Sequence, residues 1–222
     1  MRGYGEAVMG PRQALEPDAL VIVMIGASAV GKSSIAEALC ENGMVEATPT
    51  WTTRSPRPGE LDTSYDHHFV SDEAFDRQNQ GGFIDQHSLY GYRYGVPFLS
   101  QPVAGKEALV VLKPVFMPVF LEHYPAARVY QVEASPEVLR ERMQTRGQSA
   151  ADIERRMQEH GSETAAAHQF AHVIFDNNGL LAETVERVAA QIRSDRAAHG
   201  GTAAADDMDE YRLADPLAAG DV

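Results

Sequence analysis

Apolar positions fall along this chain in two kinds of segment. Apolar runs occupy residues 19–25, 108–112 and 173–175, and 129–132 broken only by Gln131, the pattern of parallel strands buried on both faces. Between them lie segments in which apolar residues return at helical spacing. One covers 33–42 and stops at Gly43; another covers 114–124, where Pro118 must occupy a first turn or kink the helix. Ser135-Pro136-Glu137 opens a third with a serine cap, a proline at the first position and an acid in the first turn. A last amphipathic helix ends near Arg193. A short strand is expected at 45–49, an acidic helix start at Asp72-Glu73-Ala74-Phe75, and a hairpin or small sheet from 82–85 and 90–95. The tyrosines of that hairpin either flank a planar ligand or pack the turn. Strands alternating with helices predict an α/β fold on a parallel sheet.

The first apolar run feeds Gly26-Ala27-Ser28-Ala29-Val30-Gly31-Lys32-Ser33, and Ser34 and Ile35 begin a helix. A G-x-x-x-x-G-K-S string between strand and helix is a phosphate-binding loop. Its glycines let the backbone wrap closely, so that N–H groups and the helix dipole point at phosphate oxygens. Residues 26–34 are thus the expected ATP-binding stretch. Lys32 is expected on the outer phosphates and the Ser33 hydroxyl on Mg²⁺.

Two arginine groupings extend the candidate chemistry. Arg54 and Arg57 lie in an extended segment fixed by Pro56 and Pro58, where two guanidinium forks suit a phosphate. Arg140, Arg142, Arg146, Arg155 and Arg156 crowd the helix after Ser135 and its sequel. Glutamates salted among them fit a solvated face. The i, i+4 pair Arg142 and Arg146, with a hinge at 147–152, favours a lid closing on developing charge. Asp66, His67 and His68 suggest a metal cluster, but adjacent strand residues point to opposite faces and no spaced partner follows. That cluster is set aside.

The formal charge of −13 argues against a nucleic-acid partner, which calls for a basic patch. Part of it is local, since Asp206, Asp207, Asp209, Glu210, Asp215 and Asp221 crowd the end of the chain. Residues 1–18 and 196–222 are expected to be a disordered leader and an acidic disordered tail. Cys40 is the only cysteine, so no internal disulfide forms and a reducing compartment fits. With no membrane-length apolar run and no apolar signal core, a cytoplasmic location without a membrane partner is expected.

Taken in order, the phosphate loop, the stretch from Thr52-Thr53-Arg54 to Arg57-Pro58-Gly59-Glu60, Phe83-Ile84-Asp85, Tyr94-Gly95, the arginine-bearing lid and Val173-Ile174-Phe175-Asp176-Asn177 resemble the guanylate kinase family. The resemblance covers residues 20–193. It implies a P-loop NTPase with a three-layer parallel sheet, an acceptor-binding subdomain inserted at about 50–100 and a helical lid at about 140–158, within a domain at 19–195. It implies transfer of the γ-phosphoryl of MgATP to GMP. By the same resemblance Arg54, Arg57 and Tyr94 hold the acceptor phosphate, with His67 where the family has a tyrosine. Thr50 stands where a serine meets the guanine carbonyl, and Asp85 where a glutamate accepts from the guanine ring N–H and amino group. Lys32 and the lid arginines Arg142, Arg146 and Arg156 carry the catalytic charge, and Asn177 lies near the adenine.

Three departures bear on the acceptor. Val96 replaces a small hydroxyl residue, and Val111 and Lys113 replace two strand aspartates. A lysine facing the acceptor pocket favours a more anionic acceptor or serves a phosphate directly. These changes, and the stretch from Tyr124-Pro125 to Arg140, are similar to the ribose 1,5-bisphosphate phosphokinases. A third possibility is a non-catalytic guanylate-kinase-like binding module. Such modules typically lose donor-site residues, which are present here.

Overall fold

The computed structural model describes residues 14–16, 19–56, 60 and 65–209. In chain order its elements are β1 (Val21–Ile25), α1 (Lys32–Glu41), β2 (Val45–Ala47), β3 (Thr50–Thr52), β4 (His67–Phe69), α2 (Asp72–Gln78), β5 (Phe83–Leu89), β6 (Tyr92–Pro97), β7 (Glu107–Val111), a 3-10 turn (Pro114–Phe116), α3 (Met117–His123), β8 (Arg128–Glu133), α4 (Pro136–Thr145), α5 (Ala150–His168), β9 (Val173–Asp176) and α6 (Leu181–Asp209).

Five strands pair in parallel in the order β2-β7-β1-β8-β9. All five residues of β1 are buried, and the period of two sends them alternately to two cores. Ile22 and Met24 join Leu109, Tyr130 and Val132 under Ile35 and Leu39 of α1 and Val188 and Ile192 of α6. Val21, Val23 and Ile25 join Val110 and Val129 against Met117 and Phe120 of α3 and Ala167 of α5. Helices on both faces make three layers, which is why the central strand β1 reads as an unbroken apolar run. Each such side chain contributes about 1.5–3 kcal/mol on burial. The chain leaves β1 for β2 on one side, and the later connection from β7 to β8 crosses β1 to the other. The crevice beyond the carboxyl ends of the strands at such a switch point is where open α/β sheets bind ligands.

A second sheet, β4-β3-β6-β5, is built wholly from the expected insertion. β3 runs parallel to β4 and antiparallel to β6. Its register sets Thr50, His67, Tyr94, Val96, Asp85 and His87 on one face. Trp51, His68 and Phe83 meet on the other, with ring centroids 4.6 and 5.8 Å apart. Tyr90 (φ 57°) and Gly91 (φ 79°) close the β5–β6 hairpin with the left-handed pair that matches strand twist.

Boundaries moved in three places. Pro118 lies in the first turn of α3, where its missing N–H costs nothing, and the residues before it form a separate 3-10 turn. The final helix continues past Arg193 to Asp209, so residues 196–209 of the tail expected to be disordered are helical. The alanine-rich sequence favours that state, and Arg196 anchors it by pairing with Glu107. Within the expected leader, Ala14 forms an antiparallel bridge with Ser100. Residues 1–13, 17, 18 and 210–222 lie outside the described residues, as does Arg57. No helix among the described residues is long and apolar enough to cross a membrane.

Candidate active site

The loop from Gly26 to Ser33 leaves β1 at the switch point and enters α1. Gly26 has φ +142°, and a Cβ there would collide with the Val132 carbonyl of β8. Gly31 has φ +105°, and a Cβ would strike the Asn177 side chain. Only glycine lets the loop lie so close to its neighbours. Lys32 Nζ donates to the carbonyls of Gly26 (2.7 Å) and Ala27 (2.8 Å), which holds the ammonium at the loop mouth. Burial pulls its pKa down to about 8, with Lys113 pushing the same way and Glu163 and Asp66 opposing.

The helices expected as a lid reach this loop directly. Gly147 (φ 68°) ends α4, and the Ser149 hydroxyl caps α5 by accepting from Asp152 N–H at 3.2 Å. Arg142 of α4 donates to the carbonyls of Val30 (3.1 Å) and Asn177 (2.6 Å). Arg156 of α5 donates to the Ser28 hydroxyl. Arg146 lines an open groove of about 320 Å³ with Val138, Glu141, Arg142, Thr145 and Asn178. Asn177 is not part of that wall. It is buried behind the loop, where its Nδ2 donates to Val30 O at 2.8 Å, and Asn178 takes the groove position.

On the inserted sheet, the Thr50 hydroxyl meets His67 Nδ1 at 2.8 Å, and the His67 and Tyr94 rings lie 5.9 Å apart. Arg54 is buried over the Phe69 ring. Its fork donates to both Glu60 oxygens, at 2.7 and 3.0 Å. Its Nε is buried without a partner. Asp85 shares the face of Thr50 but is engaged within its own strand, by Gln86 N–H at 2.7 Å and His87 Nε2 at 3.1 Å. Thr50, His67, Tyr94 and Arg54 are therefore brought together, while Asp85 stands two strands away across the sheet.

Two acids stand at the loop: Glu163, which the sequence did not single out, and Asp66, which the sequence offered only within a metal cluster that was set aside. Glu163 of α5 accepts from Ser28 N–H at 3.2 Å, from the Tyr90 hydroxyl at 3.0 Å and from Lys113 Nζ at 3.3 Å. Despite burial, Lys113 and Lys32 hold its carboxyl below the usual range. Asp66 accepts from the Ser33 hydroxyl. A hydroxyl beside a carboxylate is the hard-oxygen setting that Mg²⁺ takes, so the donor set fits the expected ion. Lys113 points into this cleft, with its ammonium 4.8 Å from the Tyr90 ring centroid.

The guanylate kinase sequence pattern matches residues 19–195. The chain belongs to the guanylate kinase family. The guanylate kinase of Symbiobacterium thermophilum is 32% identical over 189 residues, spanning 82% of this chain and 88% of its own length. That of Deinococcus radiodurans is 32% identical over 190 residues, spanning 81% and 77%. A crystal structure of guanylate kinase from Anaplasma phagocytophilum shares the fold, with a TM-score of 0.59 at 22% identity over 82% of this chain and 88% of that one. The parallel core sheet and helical lid are those of a guanylate-kinase-like P-loop protein.

Proposed function

We propose that this family member transfers the γ-phosphoryl group of ATP to GMP, giving ADP and GDP. The observation that carries the reading is Glu163, which bonds the donor loop through Ser28 N–H and the inserted sheet through the Tyr90 hydroxyl. Donor loop and acceptor sheet thus face one cleft, as in-line transfer between two phosphates requires.

In this reading a GMP phosphate oxygen forms a bond to the γ-phosphorus as the bond to the β–γ bridging oxygen breaks. Little covalent chemistry falls to the protein, and positioning and charge do most of it. The loop amides and Lys32 hold the donor phosphates. Arg142 and Arg146 edge the groove that takes the nucleoside side of ATP, while Arg156, at Ser28, meets the developing charge. Arg54, Arg57, His67 and Tyr94 hold the acceptor phosphate, and Thr50 and Asp85 read the base. When bound through Ser33, Mg²⁺ supplies charge neutralisation on the phosphate oxygens.

A ribose 1,5-bisphosphate acceptor is the second reading, and the position of Lys113 inside the cleft favours it. Its pairing with Glu163 counts against it, because the added positive charge is locally balanced. The intact loop and loop-bound arginines disfavour a binding-only module. The test is an ADP-release assay with MgATP against GMP, dGMP, AMP, UMP and ribose 1,5-bisphosphate. Turnover with GMP, lost by about 100-fold or more in Lys32→Ala, is expected. Turnover confined to the sugar bisphosphate, or full activity of Lys32→Ala, refutes the reading.

A further inference from the structure

P-loop enzymes hold their ion with the loop Ser or Thr and a carboxylate. On this chain β7, one of the two strands beside β1, offers no acid at its carboxyl end, since Val111 closes it and Lys113 follows. The other acids near the loop are committed. Glu163 holds Ser28 N–H, Tyr90 and Lys113, and Glu133 holds Gln131 and His168. Asp66 alone among these is set against Ser33.

Its position is built. The Asp66 carbonyl accepts from Thr50 N–H at 3.0 Å and from the Thr50 hydroxyl at 2.8 Å, which pins the residue to the start of β4. Alternation along β4 concerns only Asp66 and its two histidine neighbours. The partner that matters is a hydroxyl supplied by α1, 33 residues away in sequence.

We propose that Asp66 is the carboxylate that, with Ser33, holds the Mg²⁺ of the bound nucleotide, so that the acceptor sheet contributes to the donor's metal site. Two protein oxygens suffice, because Mg²⁺ keeps several waters and takes the rest of its shell from phosphates. The proposal rests on the kinase reading above. It adds a consequence: the residue pinned to the base-reading Thr50 also holds the ion, so ion and acceptor sheet are mechanically joined.

The test is Mn²⁺ binding to the protein–ADP complex, followed by electron paramagnetic resonance, for wild type, Asp66→Asn and Asp66→Glu. ADP affinity is measured in parallel with EDTA present. Asparagine still accepts from the Ser33 hydroxyl, so a purely structural role survives Asp66→Asn. The expected result is Mn²⁺ binding weakened by about tenfold or more in Asp66→Asn, partly restored in Asp66→Glu, with metal-free ADP affinity kept. Mn²⁺ affinity of Asp66→Asn within about twofold of wild type overturns the proposal, as does an equal loss of ADP affinity with and without metal. If wild type binds no ADP under either condition, the kinase reading itself fails and the proposal with it.

Discussion

Glu163→Gln is the perturbation that most directly probes how the cleft is loaded. In the structure the Glu163 carboxylate accepts from the Ser28 amide at 3.2 Å, one of the N–H groups a nucleotide phosphate would use. It also pairs with Lys113 at 3.3 Å, with side-chain exposures of 18% and 27%. At an effective dielectric constant of about 20, that pair attracts by about 5 kcal/mol. Desolvation and partial exposure reduce the net to about 1–2 kcal/mol. An incoming phosphate must take the Ser28 amide from an anion and then sit beside it. Glutamine keeps the shape and a neutral acceptor but removes the charge. ATP binding in Glu163→Gln should therefore tighten by about 1 kcal/mol, about fivefold. The difference should shrink at high salt, as exposed charges are screened. Isothermal titration calorimetry with ATP at two ionic strengths measures both effects. Unchanged or weaker binding would show that Glu163 supports the loop and does not compete for it.

Lys32 supplies a pH prediction. Its pKa of about 8 rises when phosphates bind, because anions favour the charged form. ATP binding should take up protons near that pH and weaken as pH climbs above it, which titrations in two buffers of different ionisation enthalpy would reveal. Gly31→Ala forces a side chain into φ +105° and against Asn177. It should cost about 2–3 kcal/mol in chemical denaturation and abolish detectable nucleotide binding. Asp195 of α6 is buried and accepts from the Tyr130 hydroxyl and from Arg128 at 3.3 Å. Asp195→Ala should destabilise by about 2–3 kcal/mol, since it strands both partners. The Asp195 carboxyl is held below its ordinary range by Tyr130 and Arg128 against the pull of burial. The contribution is thus present at neutral pH and is lost as pH falls through the depressed value, which acid titration of the variant against wild type would show.

The parts of this molecule that could be read from sequence are those in which local pattern and tertiary role coincide. Residues 21–25 are apolar without a break because both sheet faces are covered, and the phosphate loop needs only its own eight residues and the flanking strand and helix. The two acids at the loop lacked such a coincidence. Glu163 sits in Gly161-Ser162-Glu163-Thr164, one of several acids along α5, and nothing in its spacing announces Ser28, 135 residues earlier. Asp66 was weighed only against its strand neighbours, while its partner comes from another element. Asn177 is a different case. The sequence offered no sign that β9 ends by turning the Asn177 side chain in behind Gly31, leaving Asn178 at the groove.

These contacts share a logic that bears on the acceptor. A cleft built to take phosphates gathers cations in a partly desolvated space, where unpaired charge is costly. Here the chain's own carboxylates stand at the anion positions: Glu60 on the Arg54 fork, Glu163 on the Ser28 amide and Lys113, and Asp66 on Ser33. In the proposed reaction, substrate binding exchanges one anion for another, and its net free energy is a small difference between large attractions. The same accounting applies to the departure on β7. By the resemblance, Val111 and Lys113 stand where two acids are expected, and in the proposed reading that change taken alone calls for an acceptor with an additional phosphate. Glu163 returns a negative charge to the spot where Lys113 points. In the proposed reading, the pairing of Lys113 with Glu163 weighs toward an acceptor with a single phosphate.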